Sequence, residues 1–369
     1  MNLALLVLLA SALVVQAQTV VSGRRYQRLA IRNAMVVDGN GTPASGPKDI
    51  LIEGDTIADV VPLDPVALKR GDAKRPAADV EIDARGKYVL PGLINAHAHV
   101  HEKRGHDPLP VGYVLKLWLA CGITTVRDVG SGIDAAGERI DLKKLVALRE
   151  QSRKGEVAAP RIFAYSVFQA NPRPKTAEQA RQRVRELKRL GADGIKLGGV
   201  DRDLMAALSD EAKTLGLRVA HHTGVEETNA WDDIRFGTTT IEHWYGIPDA
   251  ALPDKVQNFP AAYNYNNETD RFRYAGRLWR EADPKLLAKV LDGMVEAKVA
   301  WVPTLDIYEA SRDLLRAQTQ PWFADLLHPT LAAYFRPDPG NHGSYFHGWT
   351  STDEAYWKEN YRIWMNALR

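Results

Sequence analysis

The chain has 369 residues, of which 45% are hydrophobic and 25% charged, and its formal net charge at neutral pH is +2. This is the composition of an ordinary globular protein, and the near balance of charge gives no indication of a nucleic-acid or membrane-surface partner. A single cysteine, Cys121, excludes an internal disulfide framework and a cysteine-based zinc site. Because Cys121 lies in an apolar run, we expect it to be a buried, unreactive thiol.

The first segment, residues 1–17, predicts a secretory signal peptide. It is apolar, and Val15 and Ala17 supply the small side chains that a signal peptidase needs. A retained membrane anchor is the alternative, but it would need about 20 apolar residues. We therefore expect an exported chain, periplasmic or secreted, without a stable membrane anchor.

Residues 27–89 predict a small β domain. Their β-branched runs are separated by glycine- and aspartate-rich turn signals. The strands are expected at 29–37, at 50–61 as a hairpin, at 80–84 and at 88–90. The intervening residues 62–78 are rich in proline and charge, and they predict an exposed loop.

Residues 90–369 predict a barrel. Short apolar strands alternate with longer segments of helical periodicity, which is typical of βα units around a parallel sheet. Seven strands are expected, at 93–100, 122–128, 161–167, 194–199, 217–222, 238–244 and 300–305. Since a (β/α)8 barrel has eight strands, the predicted fold class is α/β: a TIM-like (β/α)8 barrel lacking its last strand, with a small N-terminal β-sandwich-type domain.

Helix boundaries are marked by capping residues. Thr176 with Gln179 forms a capping-box pattern, Asp201 precedes a second helix, and Asp283 followed by Pro284 begins a third.

Two aromatic-rich segments, 245–282 and 306–352, follow predicted strand ends. In a barrel those ends carry the active site, so we expect these segments to cover it. Packing against the outer helices is the alternative. The aromatic residues concerned are Tyr245, Phe259, Tyr263, Tyr265, Tyr274, Trp279, Trp322, Tyr334, Phe335, Tyr345, Phe346 and Trp349.

Candidate metal ligands stand at the ends of four strands. His97 and His99 lie two residues apart, so both side chains leave the same face of a strand, and a divalent cation is their usual common partner. Lys196 lies in an apolar strand, where an amine is costly to bury unless it is neutralised, paired or modified.

Two further strands end in histidine. His221 and His222 are adjacent, so only one can point inward, and His243 ends the next strand. Each of these residues alone is more often an ordinary hydrogen-bonded side chain. Four parallel strands that each deliver a nitrogen donor at the C-terminal end are, however, how a barrel assembles a metal site.

Over residues 28–305 the sequence resembles the metal-dependent amidohydrolase superfamily, and in particular its imidazolonepropionase-like and Xaa-Pro dipeptidase-like members. The resemblance rests on four motifs: V-x-P-G-x-I-x-x-H-x-H from Val89 to His99, G-A-D-x-I-K ending at Lys196, H-x-x-G from His221 to Gly224, and I-E-H ending at His243.

The resemblance implies two divalent metal ions. His97 and His99 would bind the more buried ion, His221 and His243 the second, and a carbamylated Lys196 would bridge both. The family register favours His221 over His222. Zinc is the expected metal, although manganese, cobalt or iron would suit the same ligands. Contact with the substrate is expected from Tyr245, His222 and Arg127, with support of the metal ligands as the alternative role for Arg127.

The function that follows is hydrolysis of a C–N bond (amide, peptide-like or cyclic amide) by a metal-bridging hydroxide. Ester, lactone or phosphotriester hydrolysis on the same site is one alternative, and a non-catalytic, truncated metal-binding remnant is another. The expected partner is a small-molecule or peptide-like substrate, not a nucleic acid, and the chain could form a homo-oligomer.

The sequence departs from the family pattern near its end. The family's proton-shuttling Asp follows the eighth strand, which should come after a helix predicted at 354–368. We therefore expect the strand-8 Asp to be absent from this chain, the chain to be C-terminally truncated, and its activity to be impaired.

Overall fold

The computed structural model describes residues 25–133, 138–223, 228–254, 267–312, 316, 318–338 and 346–369. The predicted signal peptide lies outside these residues. The chain divides into two compact units, Met1–Gly92 and Leu93–Arg369.

The first unit contains a mixed five-stranded sheet, which confirms the N-terminal β domain. Its strands are β1 Arg28–Val36, β2 Ser45–Glu53, β3 Thr56–Pro62, β4 Val80–Asp83 and β5 Tyr88–Val89. The strand order is β3-β2-β1-β4. Strand β5 lies off this path and pairs with the last residues of β1. Antiparallel pairs join β1 to β2 and β2 to β3, whereas β4 and β5 run parallel to β1.

The predicted loop at 62–78 contains a short helix, α1 Pro65–Arg70. The Asp64 carboxylate accepts a hydrogen bond from the Val66 amide at 2.8 Å, and Pro65 occupies the first turn, where its missing N–H costs nothing. The high charge of the segment concealed these start signals.

The second unit is built on a seven-stranded parallel sheet that forms a nearly closed, (β/α)8-like barrel. Its strands are β6 Leu93–Ala98, β9 Ile123–Ser131, β10 Arg161–Val167, β11 Gly194–Leu197, β12 Arg218–His221, β13 Thr240–Glu242 and β14 Ala300–Val302, with β7 Lys103–Arg104 and β8 Asp107–Pro108 as a separate ribbon. All seven predicted strands are confirmed. They are hydrogen-bonded in chain order from β6 to β14.

Helices follow most of these strands. They are α2 Val111–Ala120, α3 Leu142–Lys154, α4 Ala177–Arg189, α5 Arg202–Thr214, α6 Ala230–Phe236, α7 Glu268–Ala275, α8 Leu278–Glu281, α9 Pro284–Ala297, α10 Leu305–Arg312, α11 Pro321–Leu326, α12 Pro329–Tyr334 and α13 Ser351–Ala367. Thr176 caps α4 and Asp283 caps α9 through side-chain hydrogen bonds, as predicted. Asp201 takes the N-cap position of α5 without such a bond. Within the described part of the chain, no helix combines the length and apolarity needed to span a bilayer.

The aromatic residues predicted to cover the site divide between two locations. Trp279 is fully buried in a second hydrophobic core, where it packs with Trp244 and Trp364. Tyr245 and Tyr334 instead line the cleft at the strand C-termini. The prediction that these residues cover the site is therefore wrong for Trp279. Phe259, Tyr263, Tyr265, Tyr345 and the side chain of Trp322 lie outside the described residues.

Cys121 is exposed, so the prediction of a buried thiol is wrong. Helix α2 ends at Ala120, and Cys121 takes the C-cap position, where the chain turns away from the core.

Candidate metal centre

Three strand ends bring their imidazole rings together. The His97 ring lies 4.4 Å from that of His243 and 5.1 Å from that of His99, measured between ring centroids. The His222 ring lies 4.7 Å from that of His243. With Lys196, these side chains line one cleft at the C-terminal ends of the strands. The structure therefore gathers His97, His99, Lys196 and His243, as the sequence predicted, together with His222.

The structure places the two adjacent histidines on opposite faces of β12, and His222, not the favoured His221, lines the cleft. In the parallel pairing of β11 with β12, Lys196 lies opposite Ala220 and Leu197 opposite His221. Because side chains alternate along a strand, the residue that shares the face of Lys196 is His222, and His221 points away from the centre. The His221 Nδ1 atom instead bonds to the buried carboxylate of Asp233 at 2.8 Å.

His243 reaches the centre through an unusual backbone conformation. Its φ angle is +65°, in the left-handed region that non-glycine residues seldom adopt. This turn lets two consecutive residues, Glu242 and His243, face the same centre. The His243 Nδ1 atom bonds to the Thr304 hydroxyl at 2.8 Å, and Thr304 is itself left-handed, with a φ of +52°.

Lys196 is the most unusual group of the cleft. Only 8% of the residue is exposed, and its Nζ atom is buried with no hydrogen-bond partner among the described residues. Burial lowers the pKa of the amine to about 8, an effect that Glu242 opposes and Arg127 reinforces. A substantial fraction of the amine is therefore neutral near pH 8.

Glu242 holds the first histidine in place, a role that the sequence analysis missed. Its carboxylate accepts from His97 Nδ1 at 2.5 Å, from Arg127 Nη2 at 2.6 Å and from the Thr240 hydroxyl at 2.6 Å. With Nδ1 engaged, the Nε2 atom of His97 is the one left for a cation, which is the usual arrangement around metal-bound histidine. The glutamate of the I-E-H motif was visible in the sequence, but period-2 alternation places it opposite to His243.

Arg127 was expected to contact either the substrate or the metal ligands. Its guanidinium donates to the Ala96 carbonyl at 2.6 Å and the Thr240 hydroxyl at 3.0 Å, besides Glu242. These three bonds engage the guanidinium within the barrel, which is the second of the two expected positions: Arg127 supports Glu242, the partner of His97.

Asp128 connects the ends of β6 and β9. Its fully buried carboxylate accepts from the Val100 amide at 2.7 Å and the Ser131 amide at 2.9 Å. Burial raises the pKa of Asp128 to about 6 despite these bonds. Gly130 lies directly against His99, because a Cβ atom there would come within 2.4 Å of the His99 Nδ1 atom. Nothing in the sequence distinguished this glycine.

The protonation states suit a cation. Burial, followed by the positive charge of Lys196, lowers the pKa of His97 well below its usual value. Burial and the neighbouring His97 do the same for His243. Both imidazoles are neutral at pH 7, as metal ligation requires. Among the described residues, however, no group of three His, Cys, Asp or Glu side chains forms a complete metal site by itself.

Residues 88–258 match the model of the amidohydrolase family. The match spans a little less than half of the chain. A curated relative is the dihydroorotase of Bacillus licheniformis, 26% identical over 136 residues, which are 37% of this chain and 28% of that protein. This chain thus matches little more than a quarter of that relative's length.

Solved structures share the fold of this chain. One is a Xaa-Pro dipeptidase with methionine bound in its active site, which is 20% identical to this chain. The superposition includes 90% of this chain and 84% of the dipeptidase chain, with a TM-score of 0.52. Molinate hydrolase is 15% identical, covers 91% of this chain and 86% of its own, and has a TM-score of 0.50. The range that matches the family model includes all five gathered side chains.

Proposed function

We propose that this chain is a binuclear metal-dependent hydrolase of C–N bonds. The observation that carries the proposal is the buried Lys196 amine, which has no hydrogen-bond partner among the described residues and shares its cleft with five histidines. A buried amine without a partner is costly, so this one calls for a ligand or a modification. The donor set, neutral imidazoles and an amine of lowered pKa, suits two divalent cations, and zinc is the first candidate.

The proposed ligands follow the geometry. His97 and His99 would hold one cation, His222 and His243 the other, and Lys196 would bridge the two as a carbamate. In forming it, the neutral amine attacks CO₂, an N–C bond forms, and the nitrogen releases a proton. The lowered pKa of Lys196 favours this step, because only the neutral amine is a nucleophile.

The chain's own residues prepare the site. Glu242 and Thr304 fix the orientation of the rings of His97 and His243 by bonding to their Nδ1 atoms. Burial keeps both rings unprotonated. When bound, divalent cations supply an acidic water and polarise the scissile carbonyl. The amide, dipeptide and cyclic-amide substrates proposed here fit the family match and the fold shared with the dipeptidase.

Metal analysis tests the proposal. Protein prepared with zinc and bicarbonate should contain two metal ions per chain, and intact-mass measurement should show one added CO₂. Lys196→Ala should lose most of the metal and all of the added mass, whereas Lys188→Ala, at an exposed lysine of α4, should lose neither. Metal content unchanged in Lys196→Ala would sink the ligand assignment.

A hydrolysis assay follows from it. Dipeptides, N-acyl amino acids and cyclic amides should be cleaved in a zinc-dependent manner. Bound metal without turnover on any of them would favour the alternative of a metal-binding remnant.

Export is a separate proposal from the apolar N-terminal segment. Amino-terminal sequencing of protein recovered outside the cytoplasm should begin at Gln18. Recovery of the whole chain with Met1 intact, only in the cytoplasm, would contradict it.

A further inference from the structure

The cleft that holds the candidate centre has an uneven distribution of charge. Besides Lys196, the charged residues that line it are Arg104, Glu138, Arg139, Arg173 and Asp306. The three arginines follow β6, β9 and β10, whereas Asp306 lies on α10, after β14. One side of the cleft is therefore rich in guanidinium groups.

Glu138 is already neutralised by its neighbours. Its carboxylate accepts from Arg104 Nη1 at 3.1 Å and from the Gly105 amide at 2.5 Å, and it lies 3.5 Å from His101 Nδ1. Arg104 is thus engaged, and Glu138 has little negative charge left to offer to other cations.

Arg139 and Arg173 differ from Arg104. Within the described ranges of the chain, neither side chain has a carboxylate partner, and both are exposed. Arg139 follows Glu138 directly, and its backbone bridges to His101, whose ring lies 5.9 Å from that of His99. Its position is therefore tied to the candidate centre.

The loop that carries Arg173 is held by hydrogen bonds from a buried arginine on α4. The buried Arg183 guanidinium donates to the carbonyls of Phe168, Ala170 and Pro172 at 2.9, 3.0 and 2.9 Å. Three bonded carbonyls give the loop a defined backbone position beside the cleft, from which the exposed Arg173 side chain extends.

Gln169, from the same loop, ties it to the candidate centre. Its amide oxygen accepts from the Gly198 amide at 3.1 Å, and its amide nitrogen donates to the Gly199 carbonyl at 3.2 Å. Both glycines follow the strand that carries Lys196. The backbone that carries Arg173 is therefore tied to the strand that carries Lys196.

We propose that Arg139 and Arg173 recognise a carboxylate on the substrate and so select acidic substrates over their neutral counterparts. Guanidinium groups bind carboxylates through paired, charge-assisted hydrogen bonds, and two of them without an internal acid are available to do so. The Asp306 carboxylate repels an anion that approaches the part of the cleft it lines. A substrate carboxylate is therefore favoured at the two arginines instead. The inference rests on the proposed function for its kinetic test, although the binding test below does not.

The kinetic test uses a matched substrate pair, an N-acyl amino acid and the same compound with its carboxylate converted to a carboxamide. The wild type should prefer the acid in kcat/KM. Each of Arg139→Gln and Arg173→Gln should lower kcat/KM for the acid by roughly two- to fivefold, mainly through KM, and leave the carboxamide unaffected. The preference should also shrink at high salt, because both arginines are exposed.

The control variants remove the same charge elsewhere. Arg189→Gln lies on the outer end of α4, away from the cleft lining, and should behave as wild type. Thermal unfolding midpoints of all three variants should match the wild type, since neither cleft arginine supports an ion pair in the described structure. An acid preference that survives in the Arg139→Gln/Arg173→Gln double variant would overturn the proposal.

A binding test separates the two proposals. Saturation-transfer NMR with N-acetylglycine and N-acetylglycinamide should show arginine-dependent binding of the acid alone. If that result comes without hydrolysis, the proposed function fails and the arginine site stands. If hydrolysis occurs but both probes bind equally in wild type and double variant, the arginine site fails and the function stands.

Discussion

At the scale of single residues, the candidate centre depends on groups that bind nothing themselves. Glu242 holds His97, Thr304 holds His243, and Asp128 holds the backbone just after His99. These supporting bonds fix the rotamers of the rings before any ligand arrives, which is the condition for a precise site.

Glu242→Gln tests this support. The glutamine amide has only one acceptor oxygen, so it cannot accept hydrogen bonds from both Arg127 and His97 as the two carboxylate oxygens do. We therefore expect a 10- to 100-fold loss of metal affinity, which chelator competition measures. Glu178→Gln, at an exposed position on α4, is the control. Equal affinities in wild type and Glu242→Gln would show that the ring of His97 is held by other contacts.

Asp128 gives a pH-dependent prediction. Its pKa is raised to about 6 in the folded chain, so the folded state binds more protons than the unfolded state between pH 4 and 6. Stability from this group is therefore present at low pH and lost as pH rises through 6.

Asp128→Asn lacks this titration. The quantity to follow is the free energy of unfolding of Asp128→Asn minus that of the wild type. This difference should rise by about 3 kcal/mol between pH 4 and pH 7, because a shift of two pKa units corresponds to about that amount. Denaturant titrations of both proteins across this range measure the difference. A difference that stays constant with pH would mean that Asp128 titrates normally.

At the scale of elements, strand β12 serves two purposes with adjacent residues. His222 faces the cleft, and His221 faces α6, where its partner Asp233 also accepts from the Thr238 hydroxyl at 2.7 Å. One histidine belongs to the centre and the other to the packing of helix on sheet.

Single alanine substitutions should separate these roles. His221→Ala strands a buried carboxylate and should cost on the order of 3 kcal/mol of stability while retaining metal. His222→Ala should lose metal at little cost in the metal-free protein's stability. Chemical denaturation and metal analysis of the two variants give the comparison. Metal loss confined to His221→Ala would restore the ligand set expected from the sequence.

At the scale of the whole molecule, the large unit has two cores. One lies between the sheet and helices α2 to α5, and the other is an aromatic cluster around Trp244, Trp279 and Trp364. Trp364, on α13, is fully buried, with its ring centroid 5.0 Å from that of Trp244. Since Trp244 follows His243 directly, the last helix packs behind the candidate centre.

Trp364→Ala should therefore destabilise the large unit by about 3–5 kcal/mol, through lost burial and the cavity left behind. The urea midpoint followed by tryptophan fluorescence measures this. Lys358→Ala, on the exposed side of the same helix, should stay within about 0.5 kcal/mol of wild type. A small effect of Trp364→Ala would indicate that α13 contributes little to the fold.

The sequence predicted the strands well because each is an apolar run bounded by turn residues. Its motifs also named four side chains that the structure brings into one cleft: His97, His99, Lys196 and His243. It missed His222 because the direction of a side chain at a strand end depends on register, which is set by the neighbouring strand. It missed Glu242 because a left-handed residue at 243 breaks the alternation. The aromatic segments were ambiguous, since a core tryptophan and a cleft tyrosine carry the same local signal.

Arg127 has a consequence for assembly. Its guanidinium spans from β6, at one end of the hydrogen-bonded strand order, to β13, next to the other end, while it sits on β9 itself. A flat sheet could not bring those strands within reach of one side chain, so the contact exists only once the sheet has curled. Curvature and the geometry of the candidate centre therefore arise together, and an intermediate with a splayed sheet would lack both.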